Sequence, residues 1–478
     1  MPGRYLVTGG LVVTLDDSLG DFENGSILIE DGVIKAVGRS EDITADGAEV
    51  IDATEGVVIP GMVDTHRHAT LSLSRGISVD ENAWPFLVNT YHPLVPSIGI
   101  EEVRTSTLVS ALEALESGIT TMNEPSEAFP SAEYVEAGLQ SFKESGIRSL
   151  YSFGMHQSPY GDAPAGKASW EARLQHAKKL FQEYGQDGLV RVGLHLSQPG
   201  TVPMTWLRDE INFAQDQGVF CCSHSACIMG SDLSRDLDVR ADMGCMLPGH
   251  LYIHCPSLTD HDMSLIAKTG GKIAFATDSN IQTGMGYPPL RNALAHGLKP
   301  SLSTDSAMTA PTDMLSTMRL QLQAQRGQDH HAVHLTRQPS FSMDFVTRDA
   351  LVWGTRNGAE ALGLGDKIGT LTPGKRADVV VITSKRRISP SVNPLGTAML
   401  QSTPADVDLV MVDGKIMKRD GRLVGVDMNK IRARAREDSR RIMENLERRR
   451  SGLVMQKGED VVPMLEKIQR ACFADVYT

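Results

Sequence analysis

The sequence predicts an α/β protein: a TIM (β/α)8 barrel carrying a small β-sandwich made from both chain ends, followed by a helical tail. Three observations predict it. Turn-punctuated β-rich stretches occur near both ends, a long middle alternates apolar strand-like runs with helix-length stretches, and the last part turns strongly charged with apolar residues at helical spacing.

From Tyr5 to Ile59 short apolar runs alternate with turn dipeptides: Leu11 to Leu15, Asn24-Gly25, Ser26 to Glu30, Asp31-Gly32, then Val33 to Val37. Asp-Gly between two alternating runs is a strong hairpin signal, because both residues tolerate the positive φ of a type I′ turn. The same pattern returns at Ala377 to Ile382 and at Val407 to Val412, which Asp413-Gly414 joins to Lys415 to Lys418. Between these pieces, Ile100 to Ser117 precedes Ile119 to Met122, and Trp206 to Gln217 precedes Val219 to Cys222. Helix then strand, repeated, argues for parallel βα units. After Val426, Met428 to Arg450 is rich in Arg and Glu, with Ile431, Ile442 and Leu446 at loosely helical spacing, so an amphipathic helix is expected there. The predicted layout is a composite sandwich over residues 1–59 and 365–425, a barrel over 60–364, and a tail over 426–478.

A chain of 478 residues can bury a large core, and 41% hydrophobic content supplies it. The net charge of −12 offers no basic field for nucleic acid or an anionic membrane surface. Cys221, Cys222, Cys227, Cys245, Cys255 and Cys472 show no disulfide-framework spacing, which points to a reducing compartment. No leader pattern opens the sequence and no apolar run is long enough to span a bilayer, so a soluble cytoplasmic protein is expected.

The most informative segment ends an apolar run in Pro60-Gly61-Met62-Val63-Asp64-Thr65-His66-Arg67-His68. Residues two apart on a strand share a face, so His66 and His68 project together at the strand's C-terminal end, where TIM barrels keep their catalytic residues. Two imidazoles there can bind one cation.

This segment resembles the first-strand motif of the amidohydrolase superfamily, in the branch with cytosine deaminase-like, guanine deaminase-like and triazine-hydrolase enzymes. The resemblance continues in order over about residues 5 to 425: Phe220-Cys221-Cys222-Ser223-His224, Tyr252-Ile253-His254-Cys255, Leu302-Ser303-Thr304-Asp305, then Thr355 to Ala359, Leu362 to Gly365 and Gly374 to Val379. It implies a metal held by His66, His68, His224 and Asp305. It also implies that Asp305 acts as base toward a metal-activated water and that His254 hydrogen-bonds that water or the developing oxyanion. Imidazoles with one carboxylate suit zinc, with iron(II) as the alternative. No lysine ends a mid-barrel strand, so one divalent transition metal per chain is expected. The implied enzyme attacks a C–N or C–halogen carbon of a small cyclic or aromatic nitrogen compound, as a homo-oligomer (dimer or tetramer).

One departure stands out. Where that branch has a glutamate three residues after the third histidine, to move protons to ring nitrogen and leaving group, this sequence has Cys227. A thiol with a pKa of about 8.5 replaces a carboxylic acid poorly in that task, which argues against ordinary purine or pyrimidine deamination. Replacement acids and substrate contacts are sought at Asn123 and Glu124, at His195, and at Asp278. Trp84, Phe86, Tyr91 and His92 offer an aromatic wall. A metal-assisted lyase or decarboxylase, which needs no such shuttle, and a non-catalytic scaffold are the rival readings. Gly369 to Lys375 has Walker A spacing, but Arg376 stands where Ser or Thr is required, so it reads as a turn. His330, His331 and His334 lack the ordered context of a second metal site.

Overall fold

A computed structural model describes residues 3–155, 167–198, 201–227 and 236–451, together with 453, 463 and 467. Cys472 and most of the tail beyond residue 451 lie outside them. The first strands are β1 (Arg4–Val12), β2 (Phe22–Glu30), β3 (Val33–Arg39), β4 (Glu49–Asp52) and β5 (Gly56–Pro60). Then follow β6 (Met62–Asp64), β7 (Ile119–Pro125), β8 (Arg148–Gly154), β9 (Val190–His195), β10 (Cys221–Ser225), β11 (Leu251–His254), β12 (Lys272–Phe275) and β13 (Ser301–Leu302). β14 (Val379–Thr383), β15 (Val407–Val412), β16 (Lys415–Arg419) and β17 (Arg422–Leu423) complete the set.

β6 to β13 pair in chain order, each parallel to the next, forming the expected barrel. Helices Ile100–Glu116, Ala132–Ser145, Lys167–Tyr184, Met204–Gln217 and Asp260–Lys268 return the chain between strands. Inside the barrel, Val63, Leu150, Cys222, Ile253 and Ala274 pack with Ala359 of the helix Arg356–Ala361 and Leu362 at its end, an apolar floor beneath the strand ends. The strands and their helices share the larger core, with Met122, Phe142, Leu194, Leu207, Tyr252 and Phe275 among its members.

The two chain ends join in one sheet ordered β17-β16-β15-β14-β5-β1-β2-β3, with β4 added on β1. Val7, Ile27, Ile29 and Ile34 from one half share an apolar cluster with Val379, Val381, Leu409 and Met411 from the other, so the sheet closes on itself as a sandwich does. Both Asp-Gly pairs are hairpin turns as expected, with φ of 50° and 76° at Asp31 and Gly32, and 54° and 76° at Asp413 and Gly414. The two turns abut: a Cβ on Gly414 would lie 2.4 Å from Gly32 Cα. Asn24-Gly25, read from sequence as a turn, instead lies within β2. Gly25 faces Gly10 where the β1–β2 register slips, and it serves close approach, since a Cβ there would meet Val12 at 2.5 Å.

The tail helix runs Met428–Arg450, with Asp427 accepting from the Asn429 and Lys430 amides at its start. It docks on its own barrel: Ile442 and Leu446 join Leu71, Leu73, Leu94, Ile98 and Met308 in a separate apolar cluster. Arg441 pairs with Glu102 at 2.7 Å, and Arg450 Nε donates to Asn89 O at 2.9 Å. Among the described residues no helix is long and apolar enough to cross a membrane. Ile442→Ala and Leu446→Ala are each expected to destabilise the protein by about 2–5 kcal/mol in denaturant titrations, the usual effect of opening a cavity in a packed cluster. A loss under about 0.5 kcal/mol for both, the range of ordinary surface substitutions, would show that the helix does not dock.

Candidate functional site

The seam that closes the barrel builds the first part of the site. Beyond β6 the chain stays extended alongside the residues after β13: Thr65 N donates to Leu302 O at 3.3 Å, Asp305 N to His66 O at 3.0 Å, and His68 N to Asp305 O at 2.9 Å. Asp64 accepts from the Thr304 amide at 3.1 Å, the Thr304 hydroxyl, and the His66 amide at 3.3 Å. Arg67 takes the opposite face from its neighbours and is buried, donating to Ser110 Oγ at 2.7 Å, Thr304 Oγ1 at 3.1 Å and Thr312 O at 2.8 Å. Alternation leaves His66 and His68 on the barrel side.

Five imidazoles meet there. The His66 ring lies 4.7 Å from His68, 4.9 Å from His224 and 5.2 Å from His254, while His195 lies 4.9 Å from His224. Asp305 Oδ1 is 3.1 Å from His66 Nε2 and 3.8 Å from His68 Nε2. Two sets of donor atoms lie within 4.8 Å of one another, His66 with His224 and His254, and His66 with His68 and Asp305. Together they contain all four residues implied as ligands, plus His254. No such grouping involves His330, His331 and His334 among the described residues.

Burial drives His66 down to about 4 and lowers His224 and His254, so these rings are neutral and offer lone pairs. Burial opposes ionisation of Asp305 as well, yet His66 and the neighbouring imidazoles hold its carboxyl well below the usual range. His68 differs: burial would lower it, but the Glu127 carboxylate outweighs that and pushes it up to about 9. His66 Nδ1 is buried without a hydrogen-bond partner among the described residues. Three neutral imidazoles, His66, His224 and His254, beside one ionised carboxylate are a donor set that fits zinc or a similar divalent ion, and binding of that ion would displace a proton from His68.

The remaining predicted residues divide. His195 ends β9 and faces the cluster, with Nδ1 3.4 Å from Ser126 O. Asn123 spends its side chain on the barrel wall, donating to Thr65 O at 2.9 Å and accepting from Ser152 Oγ at 2.7 Å. Glu124 Oε2 accepts from Ala69 N at 2.6 Å, capping the 3-10 turn Ala69–Ser74 that follows His68, and burial pushes its carboxyl up to about 8. Asp278, raised to about 6 by burial, bonds Thr317 rather than a clustered histidine. Trp84 lies in the first turn of a helical segment that starts at Ala83, and Tyr91 ends its π-helical portion Phe86–Tyr91; Tyr91 OH donates to Glu127. Cys227 is half-buried, with Sγ 3.6 Å from Ser225 O.

Two residues escaped the sequence reading. Glu127, two past the end of β7, contacts His68 Nδ1 through Oε1 at 3.0 Å. Asn280 sits two residues after Asp278 in the helix Thr277–Gln282, and its Oδ1 accepts from His254 Nδ1 at 2.9 Å while its Nδ2 reaches His254 O at 3.3 Å. That pair of bonds steadies a residue whose backbone is left-handed, with φ of 73° at His254; Asp305 has φ of 56°. Such conformations cost roughly 1–3 kcal/mol each and cluster at functional sites.

Residues 57–417 match the model of the amidohydrolase family. The chain is similar to a 5′-deoxyadenosine deaminase of Methanothermobacter thermautotrophicus, 28% identical over 87% of this chain and 94% of that one. It is likewise similar to a 5-methylthioadenosine/S-adenosylhomocysteine deaminase of Symbiobacterium thermophilum, 28% identical over 92% of this chain and 99% of the relative. Among solved structures its fold is like that of a zinc-bound adenosine deaminase from Xanthomonas campestris, with TM-score 0.81, 22% identity, and coverage of 93% and 99%. A zinc-complexed atrazine chlorohydrolase from Arthrobacter aurescens follows, with TM-score 0.79, 22% identity, and coverage of 91% and 100%.

Asn280→Ala removes a side chain bonded to both the ring and the backbone carbonyl of His254. Turnover is expected to fall by about 10- to 100-fold, the usual effect of deleting a group that orients a site histidine, with little change in melting temperature. Wild-type turnover in this variant would show that the Asn280 contact does not matter.

Proposed function

The chain belongs to the amidohydrolase family, and from that premise we propose that it is a metal-dependent hydrolase that displaces a substituent from a ring carbon of a small nitrogen heterocycle. The observation that carries the proposal is the convergence of His66, His68, His224, His254 and Asp305 at the C-terminal ends of four strands. Relatives named as deaminases and solved neighbours of the same fold that contain zinc support both the reaction class and zinc as the metal. Iron(II) as the alternative, one metal per chain, a dimer or tetramer and a cytoplasmic setting belong to the same proposal.

In this reading His66, His68, His224 and Asp305 hold the metal. A bound divalent ion supplies Lewis acidity, letting a water lose its proton near neutral pH. Asp305 is the carboxylate of the set and so the base that accepts the proton. His254, with Nδ1 engaged by Asn280, has Nε2 left to hydrogen-bond the attacking water or the oxyanion that forms. His195, beside His224, offers an imidazole to the substrate ring, and Tyr91 with Trp84 supplies the aromatic side of the pocket. Cys227 leaves the familiar shuttle position without a carboxylic acid, so proton delivery to the leaving group follows another route than in the deaminase branch.

Two tests address this. Purified protein is expected to hold about one equivalent of zinc per chain by elemental analysis. The double variant His66→Ala/His68→Ala should lose the metal, whereas Asp305→Ala should lose rate more than metal. Full occupancy in the double variant would remove the assignment. The second test assays wild type, Cys227→Glu and Cys227→Ser against a panel including 5′-deoxyadenosine, 5-methylthioadenosine, guanine, cytosine and halogenated triazines. Cys227→Glu is expected to raise deamination by about 10²- to 10⁴-fold, the usual reach of a positioned general acid, with Cys227→Ser unchanged. Rapid deamination by wild type would mean that Cys227 is no barrier.

A further inference from the structure

Each site imidazole needs something to hold its ring in place. His254 has the amide of Asn280 at its Nδ1. For His68 the backbone is fixed on both sides, since its own amide donates to Asp305 O at 2.9 Å and the next amide to Glu124 Oε2 at 2.6 Å. The ring itself still turns about the Cβ–Cγ bond. Its Nε2 side faces Asp305 Oδ1 at 3.8 Å, which leaves Nδ1 facing away from the donor cluster, and there Glu127 Oε1 lies at 3.0 Å.

Glu127 is buried, and a buried carboxylate is costly unless donors surround it. Its second oxygen accepts from Tyr91 OH, so the carboxylate is held between a phenol and an imidazole. The Nδ1 contact is within hydrogen-bond distance at 3.0 Å, although its angle is out of line for a directed hydrogen bond in this structure. Tyr91 is anchored in turn. The preceding Thr90 receives Arg450 of the tail helix and donates to Glu81 Oε2 at 2.8 Å, while Asn89 O accepts from Arg450 Nε at 2.9 Å.

We propose that Glu127 is a positioning residue for the metal centre: with Tyr91 behind it, it accepts the Nδ1 proton of His68 and so presents the Nε2 lone pair to the cation. A carboxylate behind a ligand histidine fixes its tautomer and ring angle and makes the other nitrogen a stronger donor. This inference rests on the metal reading given under the proposed function.

The test is zinc affinity, measured by competition with a chromophoric chelator, for wild type, Glu127→Gln, Glu127→Ala and Tyr91→Phe, with thermal melts alongside. Glu127→Gln and Glu127→Ala are expected to bind zinc about 10- to 100-fold more weakly. Tyr91→Phe, which leaves the carboxylate in place and keeps the fold if the Glu127 variants do not, should weaken binding in the same direction by a smaller factor. The cobalt(II)-substituted protein should show a shifted visible spectrum in the same variants. Wild-type affinity and spectrum in Glu127→Gln and Tyr91→Phe, while the wild type itself holds zinc, would overturn this inference and leave the metal reading intact. A wild type that binds no zinc would overturn that reading and the inference with it.

Discussion

The closing of the barrel between the ends of β6 and β13 is the constraint on which the rest depends. Parallel strands of a barrel have no edge, so the first and last must find each other's backbone groups. Here that pairing runs past the regular strands, through Thr65 to His68 on one side and Leu302 to Asp305 on the other. The residues that complete the seam are therefore the residues gathered around the donor cluster, and a displaced seam would displace His66, His68 and Asp305 together. The buried charges beside it fit this role. Asp64 is buried with three donors from Thr304 and His66, and Arg67, 3.7 Å from it, fills its donors with Ser110, Thr304 and Thr312. A buried pair of this kind contributes little net stability but leaves few alternative arrangements open.

Much of this was legible in the sequence because it rests on local rules. His-x-His after an apolar run forces two imidazoles to one face whatever the rest of the chain does. The Asp-Gly pairs allow positive φ at two successive residues, and the helix 428–450 follows from apolar spacing. What stayed hidden depends on approach between distant segments. Asn24-Gly25 carries the composition of a turn, but Val12 packs against Gly25 and keeps it within a strand. Glu127 looks like any loop glutamate until β7 brings it under His68. Asp278 carries an acid's signature in the sequence, whereas an amide that only steadies a ring, as Asn280 does for His254, carries none. Asn123 and Glu124 were singled out at the right strand end, yet their side chains are largely engaged by the backbone around His66 and His68.

The site also divides by charge. On one side His66, His224 and His254 are kept neutral by burial; on the other the ionised carboxylates of Glu127 and Asp305 flank His68. A cation entering between them meets lone pairs from one side and negative charge from the other. The tail helix bears on the second side, because the segment it clamps, residues 83–94, ends near Tyr91 and Glu127.

The sheet shared by the two chain ends has a consequence for synthesis on the ribosome. β5 pairs with β14, and about 320 residues separate Pro60 from Val379. At roughly 5–20 residues per second, β5 waits on the order of tens of seconds with one backbone edge open, and Val57, Val58 and Ile59 make that edge apolar. The vulnerable species of this protein is thus the nascent chain whose barrel is still incomplete, and a holdase that covers an apolar strand edge would matter more to its yield than to the stability of the finished fold.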